Sequence, residues 1–178
     1  MSSKIVEFFS QEGHDGHGRY LHHMLGLPNH QIEYSHDLIQ WLFPTNEPSK
    51  FNSEAPVLTD EDIEVFKTNP KLQENLRWAY SRFLGFLGLT VSEDGKVVKG
   101  ENFKDRYNEV WSYWNHNFLR ITRAISSLRT LGLMKEAWAL YEGCVEVARN
   151  EGVPITEHTF KFWAAAVAGK PFPKYGGD

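Results

Sequence analysis

The sequence predicts an all-α protein, a compact bundle of about seven or eight helices with at most one small β-hairpin. Apolar residues recur three and four positions apart through most of the chain, as on one face of a helix. Capping residues, prolines and glycines mark where helices begin and end. Only residues 89–98, around Asp94-Gly95, are typical of paired strands. A chain of 178 residues suggests a single helical domain over residues 1–168, followed by a tail at 169–178 rich in proline and glycine.

The first third of the chain contains one long predicted helix, preceded by two short segments. Residues 4–11 form a short helix or an arm, and the glycines of residues 12–18 make a loop. Residues 19–26 form a short second helix, which Gly26 and Pro28 stop. Asn29 caps the third helix, which runs to about residue 43, where Pro44 ends it.

The middle of the chain predicts two helices and the hairpin. Thr59 and Asp62 resemble a capping box, which starts a helix that ends near residue 68. Asn69-Pro70 begins the next helix, because proline is favoured at the first helical position. That helix runs to about Gly88, and the hairpin pairs residues 89–91 with 96–98.

The last part of the chain predicts four helices. Asn102 caps the first, which has its aromatic residues on one side, and residues 115–117 break or cap before the second, over residues 118–131. Gly132 stops the second helix. A third helix covers residues 134–150, and Thr156 begins the last.

Composition narrows the classes of function. The net charge is −4 and no basic run occurs, so no nucleic-acid partner is expected. Cys144 is the single cysteine, which excludes an intrachain disulfide and suits a reducing compartment. The chain shows no signal-peptide pattern and no apolar run of about 20 residues, so a cytoplasmic protein without a transmembrane segment is predicted. No phosphate-binding glycine loop occurs and no cofactor is predicted, while the oligomeric state stays open.

A polar stripe interrupts the apolar third helix. The apolar side chains around Trp41 cover an arc of about 200°, which is typical of a largely buried helix. The remaining positions, Glu33, His36, Asp37 and Gln40, are all polar and lie on one side. This stripe therefore faces water or lines a polar site within the fold.

Two arginines share a helix face further along. Arg120 and Arg123 lie one turn apart, with His116 on the same side. Because guanidinium groups bind carboxylates and phosphates bidentately, the face predicts a site for a small anion. Two alternatives stay open. The arginines neutralise Glu33 and Asp37 in an internal network, or they face solvent.

The chain resembles the globular domain of the opioid growth factor receptor family. Residues 36–44 (HDLIQWLFP) and 117–123 (NFLRITR), with the Leu-Gly-Leu of 131–133, are similar to its motifs, and Asp15, Gly18-Arg19 and Glu33 resemble shorter microbial members. The resemblance covers roughly residues 12–150. It implies the family fold, whose animal members are described as nucleus-associated receptors for an opioid pentapeptide that restrain cell growth.

The sequence thus predicts a binding module with a polar His/Gln/Arg pocket for a peptide or a small anionic ligand. The candidate ligand-binding residues are Arg19, Glu33, His36, Asp37, Gln40, Trp41, His116, Asn117, Arg120 and Arg123. The alternative is an enzyme that acts on a phosphate- or carboxylate-bearing small molecule. In that case His36 or His116 is the acid–base group, and the arginines hold the substrate.

Metal chemistry is a weaker prediction. His14-x-x-His17 could hold zinc with Asp15 or His22 as a third ligand, but the neighbouring glycines leave the spacing loose and no cysteine pair accompanies it. The doublets His14-Asp15 and His36-Asp37 are formally compatible with a helical metal phosphohydrolase. Almost any histidine-rich helical chain would contain such a set, so no metal site is assigned.

Overall fold

The computed structural model of this chain describes residues 2–50 and 52–174. These residues contain ten α-helices, one π-helical turn (Tyr107–Trp111) and one two-stranded sheet, which confirms the all-α class with a single hairpin. The helices are α1 (Lys4–Phe9), α2 (Leu21–Leu25), α3 (Asn29–Tyr34), α4 (Ile39–Leu42), α5 (Asp60–Thr68), α6 (Pro70–Leu87), α7 (Phe103–Arg106), α8 (Asn117–Thr130), α9 (Met134–Asn150) and α10 (Glu157–Ala168). The strands are β1 (Leu89–Val91) and β2 (Val97–Lys99).

The described part of the chain forms two structural units. The N-terminal unit comprises the residues up to Arg82 together with Thr130–Gly132. The C-terminal unit comprises Phe83–Arg129 and the residues from Leu133 onward. The single domain over residues 1–168 stays a prediction.

Aromatic rings build the core of the N-terminal unit. The ring centres of Phe8 and Trp41 are 5.2 Å apart, and those of Phe9 and Phe66 are also 5.2 Å apart. Both pairs are in edge-to-face contact. The side-chain amide of Asn75, fully buried on α6, donates to the carbonyl of Phe9 at 2.6 Å. Residues 4–9 are therefore a packed helix rather than an arm, because both phenylalanines are fully buried.

The predicted helix over residues 29–43 is wrong as a single element. It is two helices, α3 and α4, because Ser35 leaves the helical conformation with ψ 107°. Serine, histidine and aspartate favour helix interiors weakly, and Asp37 gains ionic contacts from the preceding loop instead. The break also leaves Tyr34 78% exposed, although an unbroken helix would place it in the apolar arc around Trp41. This division and several single-turn helices explain why there are ten α-helices rather than seven or eight.

The capping box at the start of α5 is confirmed. The Thr59 hydroxyl accepts from the N–H of Asp62 at 3.1 Å, and the Asp62 carboxylate accepts from the N–H of Thr59 at 2.9 Å. Asn69 caps α6 in the same way, with its side-chain oxygen accepting from the N–H groups of Lys71 and Leu72. Both helices thus start where the sequence predicts.

Removing this cap gives a first prediction. Thr59→Ala leaves the N–H of Asp62 without its acceptor and is expected to lower the free energy of unfolding by about 1 kcal/mol. Thr68→Ala, at the exposed end of the same helix, is the matched control and should cost less. Urea denaturation of the two variants beside wild type measures the difference. Equal losses would show that the cap contributes nothing specific.

In the C-terminal unit, three side chains cap the end of α6. Asn102 donates to the carbonyl of Gly85 at 2.8 Å, Arg106 Nε donates to that of Phe86 at 2.7 Å, and Trp111 Nε1 donates to that of Leu87 at 2.8 Å. These are successive carbonyls of the last turn, where helical partners run out, and that of Gly85 also accepts from the N–H of Gly88 at 3.1 Å. The helix predicted from Asn102 onward is therefore α7 followed by the π-helical turn, whose wider backbone carries Trp111.

The hairpin packs directly on α9. It is antiparallel, as predicted, but its second strand is Val97–Lys99 rather than residues 96–98, so Thr90 lies opposite Val98. A Cβ on Gly143 would lie only 2.5 Å from Cβ of Val97, so the close approach of β2 requires glycine there. Helix α10 is tied to α8, since Trp163 Nε1 donates to the carbonyl of Phe118 at 3.0 Å. The hairpin and three helices thus share one core.

The predicted tail begins where α10 ends, at Gly169 in the left-handed conformation with φ 67°. Residues 169–174 contain no helix or strand, and Phe172 stacks on Phe162 at 5.5 Å. The rest of the predicted tail, residues 175–178, lies outside the described residues.

Candidate functional site

A buried carboxylate organises the glycine-rich loop of the N-terminal unit. Asp15 is 1% exposed, and its Oδ1 accepts from the backbone N–H groups of His17 at 2.9 Å and Arg19 at 2.8 Å. Its Oδ2 accepts from Nε of Arg19 at 2.7 Å and lies 2.6 Å from Nη2 of the same guanidinium. The loop therefore has a defined shape although its glycines predict looseness.

Arg19 connects this loop to the break between α3 and α4. Its Nη2 lies 3.1 Å from Oδ1 of Asp37, and Nε2 of His17 lies 3.2 Å from Oδ2 of the same carboxylate. Two predicted site residues, Arg19 and Asp37, are thus brought together. Asp15 is absent from the predicted ligand-binding residues, although the sequence considers it as a metal ligand and names it in the family resemblance. The local sequence signal for Asp15 is the Asp-x-x-Gly-Arg spacing. In such a loop an aspartate side chain accepts hydrogen bonds from backbone N–H groups a few residues later in the chain.

The charges in this group stabilise one another. Burial alone would raise the pKa of Asp15, but hydrogen bonds from the backbone and side chain of Arg19 and from the backbone of His17 hold that pKa below its ordinary value. Burial would likewise lower the pKa of Arg19, yet Asp15 and Asp37 raise it. Both groups are therefore ionised at neutral pH.

The two histidines proposed for zinc contact the protein itself. Nδ1 of His14 lies 2.6 Å from the carbonyl oxygen of Asp15, and His17 faces Asp37. Within residues 2–50 and 52–174, no three histidine, cysteine, aspartate or glutamate side chains are arranged to hold a metal ion. The geometry of this part of the chain thus adds no support for a zinc or phosphohydrolase site.

The predicted polar stripe does not lie on one helix. Glu33 is half-buried on α3, His36 and Asp37 occupy the break, and Gln40 lies on α4. Gln40 and Trp41 are 6% and 7% exposed. Trp41 packs against Phe8, so it is a core residue of the N-terminal unit.

In the C-terminal unit, Asn115 fixes the start of α8. Its side-chain amide donates to the carbonyls of Val110 at 2.9 Å and Tyr113 at 2.7 Å, and its oxygen accepts from the N–H of Asn117 at 2.9 Å. Asn115 is itself buried. The segment before α8 therefore places Asn117 in a defined position, with His116 exposed beside it.

Arg120 is buried one turn along α8. It is 6% exposed, and its Nη1 donates to the side-chain oxygen of Asn117 at 3.3 Å. Its guanidinium carbon lies 5.9 Å from the ring centre of Phe86, and that of Arg106 lies 4.8 Å from the same ring. The ring thus supports two cations through its electron-rich face.

Arg123 lies a further turn along and is half-buried. Burial lowers its pKa to about 10, because a low-dielectric environment penalises the charged form. Asn117 and Arg120 are thus in contact, and Arg120 and Arg123 lie one turn apart on α8. The pairing of these arginines with Glu33 or Asp37 stays a prediction, as does an enzyme with His36 or His116 as acid–base group.

No helix in residues 2–50 and 52–174 combines the length and the apolar character that crossing a bilayer demands.

Known proteins are similar to this chain over part of its length. A sequence model described as the opioid growth factor receptor (OGFr) conserved region matches residues 19–167. Opioid growth factor receptors of Mus musculus and Homo sapiens are each 41% identical over 104 residues, which is 57% of this chain and 16% and 15% of theirs. Opioid growth factor receptor-like protein 1 of Xenopus tropicalis is 37% identical over 103 residues, 57% of this chain and 20% of its own.

This chain therefore spans about a sixth of the length of the receptors it matches. No solved structure matches it. The family model covers the chain from Arg19, in the buried ion pair with Asp15, to Val167 near the end of α10. This chain belongs to the opioid growth factor receptor family.

Proposed function

We propose that this chain is a binding module whose α8 face, formed by Asn117, Arg120 and Arg123, holds an anionic group of a peptide or small ligand. The relatives carry the name of a receptor for opioid growth factor, and this name supports a peptide ligand for the family domain. The α8 face supplies the chemistry for an anion, since its two guanidinium groups are one turn apart.

The observation that carries the proposal is the burial of two guanidinium groups one helical turn apart on α8. Arg120 is 6% exposed and donates to the side-chain oxygen of Asn117 at 3.3 Å, and Arg123 is half-buried, with its pKa lowered by burial to about 10. A carboxylate or phosphate that reaches this face can accept charge-assisted hydrogen bonds from both groups. Such bonds are stronger in a low-dielectric environment than at an exposed arginine.

Arg120 is already ordered for this role. Its contact with Asn117 and its position over the ring of Phe86 restrict its conformations before any ligand arrives. Less side-chain entropy is lost on binding, which favours affinity.

The second prediction tests this site with inorganic phosphate. Because an anion that binds only the folded state stabilises it by mass action, phosphate should raise the melting temperature of wild type. Arg123→Met should remain folded and lose most of this response. Lys104→Met, which removes an exposed positive charge from the same unit, is the matched control and should respond like wild type. Calorimetric titration with opioid growth factor peptide then identifies the ligand class, with phosphate as competitor.

The competing arrangement gives the opposite result. If the arginines only neutralise carboxylates inside the protein, Arg120→Met and Arg123→Met each leave a buried carboxylate without its cationic partner. Each variant then destabilises the fold by about 3–5 kcal/mol. Phosphate would then leave the melting temperature of wild type unchanged. Those two results together would exclude the ligand site.

A further inference from the structure

Helix α9 carries an apolar stripe that its own core does not use. Met134, Trp138, Tyr141 and Val145 follow one another at intervals of four, three and four residues, the spacing of a coiled-coil seam. Met134 and Trp138 are 43% and 42% exposed, and the other two are half-buried. Trp138 and Tyr141 contact each other edge to face at 5.8 Å. The stripe is therefore a continuous apolar surface and not a set of scattered side chains.

The side of α9 that adjoins the stripe is committed to packing. Ala137, Leu140 and Cys144 are completely buried there. Gly143 on the same side lies against Val97 of the hairpin. The apolar arc of α9 is therefore wider than its packed side, and Met134 and Trp138 lie on the part that is exposed. The exposed stripe thus requires an explanation beyond the folding of this unit.

Exposed charges border the stripe along one side. These charged residues recur every seven positions and are all exposed: Lys135, Glu142 and Arg149. Lys135 directly follows Met134, and Glu142 directly follows Tyr141. The residues that would border the other side of a seam, Ala137 and Cys144, are buried within the protein. A partner helix therefore meets charges on one flank only.

We infer that two copies of this chain associate through their α9 helices in antiparallel orientation. In the register that places Trp138 of one copy on Tyr141 of the other, Met134 faces Val145. Antiparallel seams bring the same flank of both helices together. Lys135 of each copy then lies beside Glu142 of the other, so two opposite-charge pairs form by symmetry.

The charge pattern selects a second copy in this orientation. A parallel pair would set the charged flank of one helix against the buried flank of the other, where Ala137 and Cys144 lie. The antiparallel pair uses the same patch on both molecules and closes after two copies. The surface is thus self-complementary in both its apolar and its charged parts.

Sedimentation equilibrium over a range of protein concentrations is the test. Wild type is expected to show a concentration-dependent monomer–dimer equilibrium. Lys135→Glu should weaken the dimer by about tenfold, since two exposed attractive pairs become repulsive. The double variant Lys135→Glu/Glu142→Lys should restore the wild-type constant. Lys161→Glu, the same charge change on the exposed side of α10, is the matched control and should leave dimerisation unchanged.

Trp138→Ala removes the largest side chain of the seam and should abolish association, while circular dichroism confirms an unchanged helix content. If that variant fails to fold, the Lys135→Glu variant and its rescue by Glu142→Lys still test the proposed dimer. Wild type that is monomeric at every concentration overturns the inference. So does a double variant that is no better than Lys135→Glu, and so do open-ended oligomers, which a closed symmetric contact does not form.

Discussion

Trp111→Ala is expected to lower the free energy of unfolding by about 4–5 kcal/mol, the upper range for truncating a buried aromatic side chain. Trp111 is completely buried, with the rings of Phe103 and Phe118 at 6.5 and 6.3 Å from its own. Its indole N–H donates to the carbonyl of Leu87. The substitution therefore opens a cavity and leaves a buried carbonyl without its donor.

Two further variants separate these contributions in denaturant unfolding. Trp111→Phe keeps much of the apolar volume but removes the donor, and should cost about 1–3 kcal/mol. Trp114→Ala is the matched control, because Trp114 is 58% exposed in the neighbouring segment, and should cost under about 1 kcal/mol. Similar losses for Trp111→Ala and Trp114→Ala would contradict the packing described for the C-terminal unit.

Asp15→Ala is expected to destabilise the protein by about 3 kcal/mol or more. The substitution removes the acceptor for two backbone N–H groups and the main partner of a guanidinium that is only 26% exposed. Removing one member of a buried ion pair is costly because the remaining charge stays desolvated. Arg19→Met should cost less, since Asp15 keeps its backbone hydrogen bonds.

A double-mutant cycle measures the coupling between these two residues. If they interact as the distances indicate, Asp15→Ala/Arg19→Met should be more stable than the sum of the single losses implies. Additive losses would mean that the ion pair contributes nothing of its own. Asp37→Asn serves as a control for the outer part of the network, because that carboxylate is more exposed than Asp15.

The same pair predicts a pH dependence. The pKa of Asp15 is lower in the folded protein than its ordinary value of 3.8. The unfolded chain therefore binds a proton at higher pH than the folded one, and the stabilisation is fully present above pH of about 4. It is lost as the pH falls through the lower folded-state value. Below pH of about 4, the free energy of unfolding should therefore fall less steeply with decreasing pH in Asp15→Asn than in wild type. Denaturant unfolding of both proteins at a series of pH values measures this difference.

Local rules predicted the parts of the fold that local interactions determine. The capping box at Thr59, the Asn69-Pro70 start of α6 and the hairpin around Gly95 are all decided by residues within a few positions of one another. The break between α3 and α4 was not predictable in this way. It depends on Asp37 meeting Arg19 and His17, which are about twenty positions away in sequence.

In the candidate site, too, contacts between residues close in sequence were predictable and those that depend on the fold were not. Asn117 and Arg120 contact each other because residues three apart share a helix face, and the sequence predicts this directly. Asp15 escaped the predicted set because its role depends on the path of a loop, for which periodicity carries no information. The burial of Trp41 was predictable from its apolar neighbours, whereas its contact with Phe8 required the fold.

The three caps on the last turn of α6 have a consequence for how this region opens. Helix ends ordinarily fray independently, with free energies of opening near zero. Here Asn102, Arg106 and Trp111 hold consecutive carbonyls from a separate segment of chain. The final turn cannot loosen unless α7 and the π-helical turn also detach. The end of α6 and the segment from 102 to 111 therefore act as one cooperative unit, whose backbone amides exchange with solvent together rather than one by one.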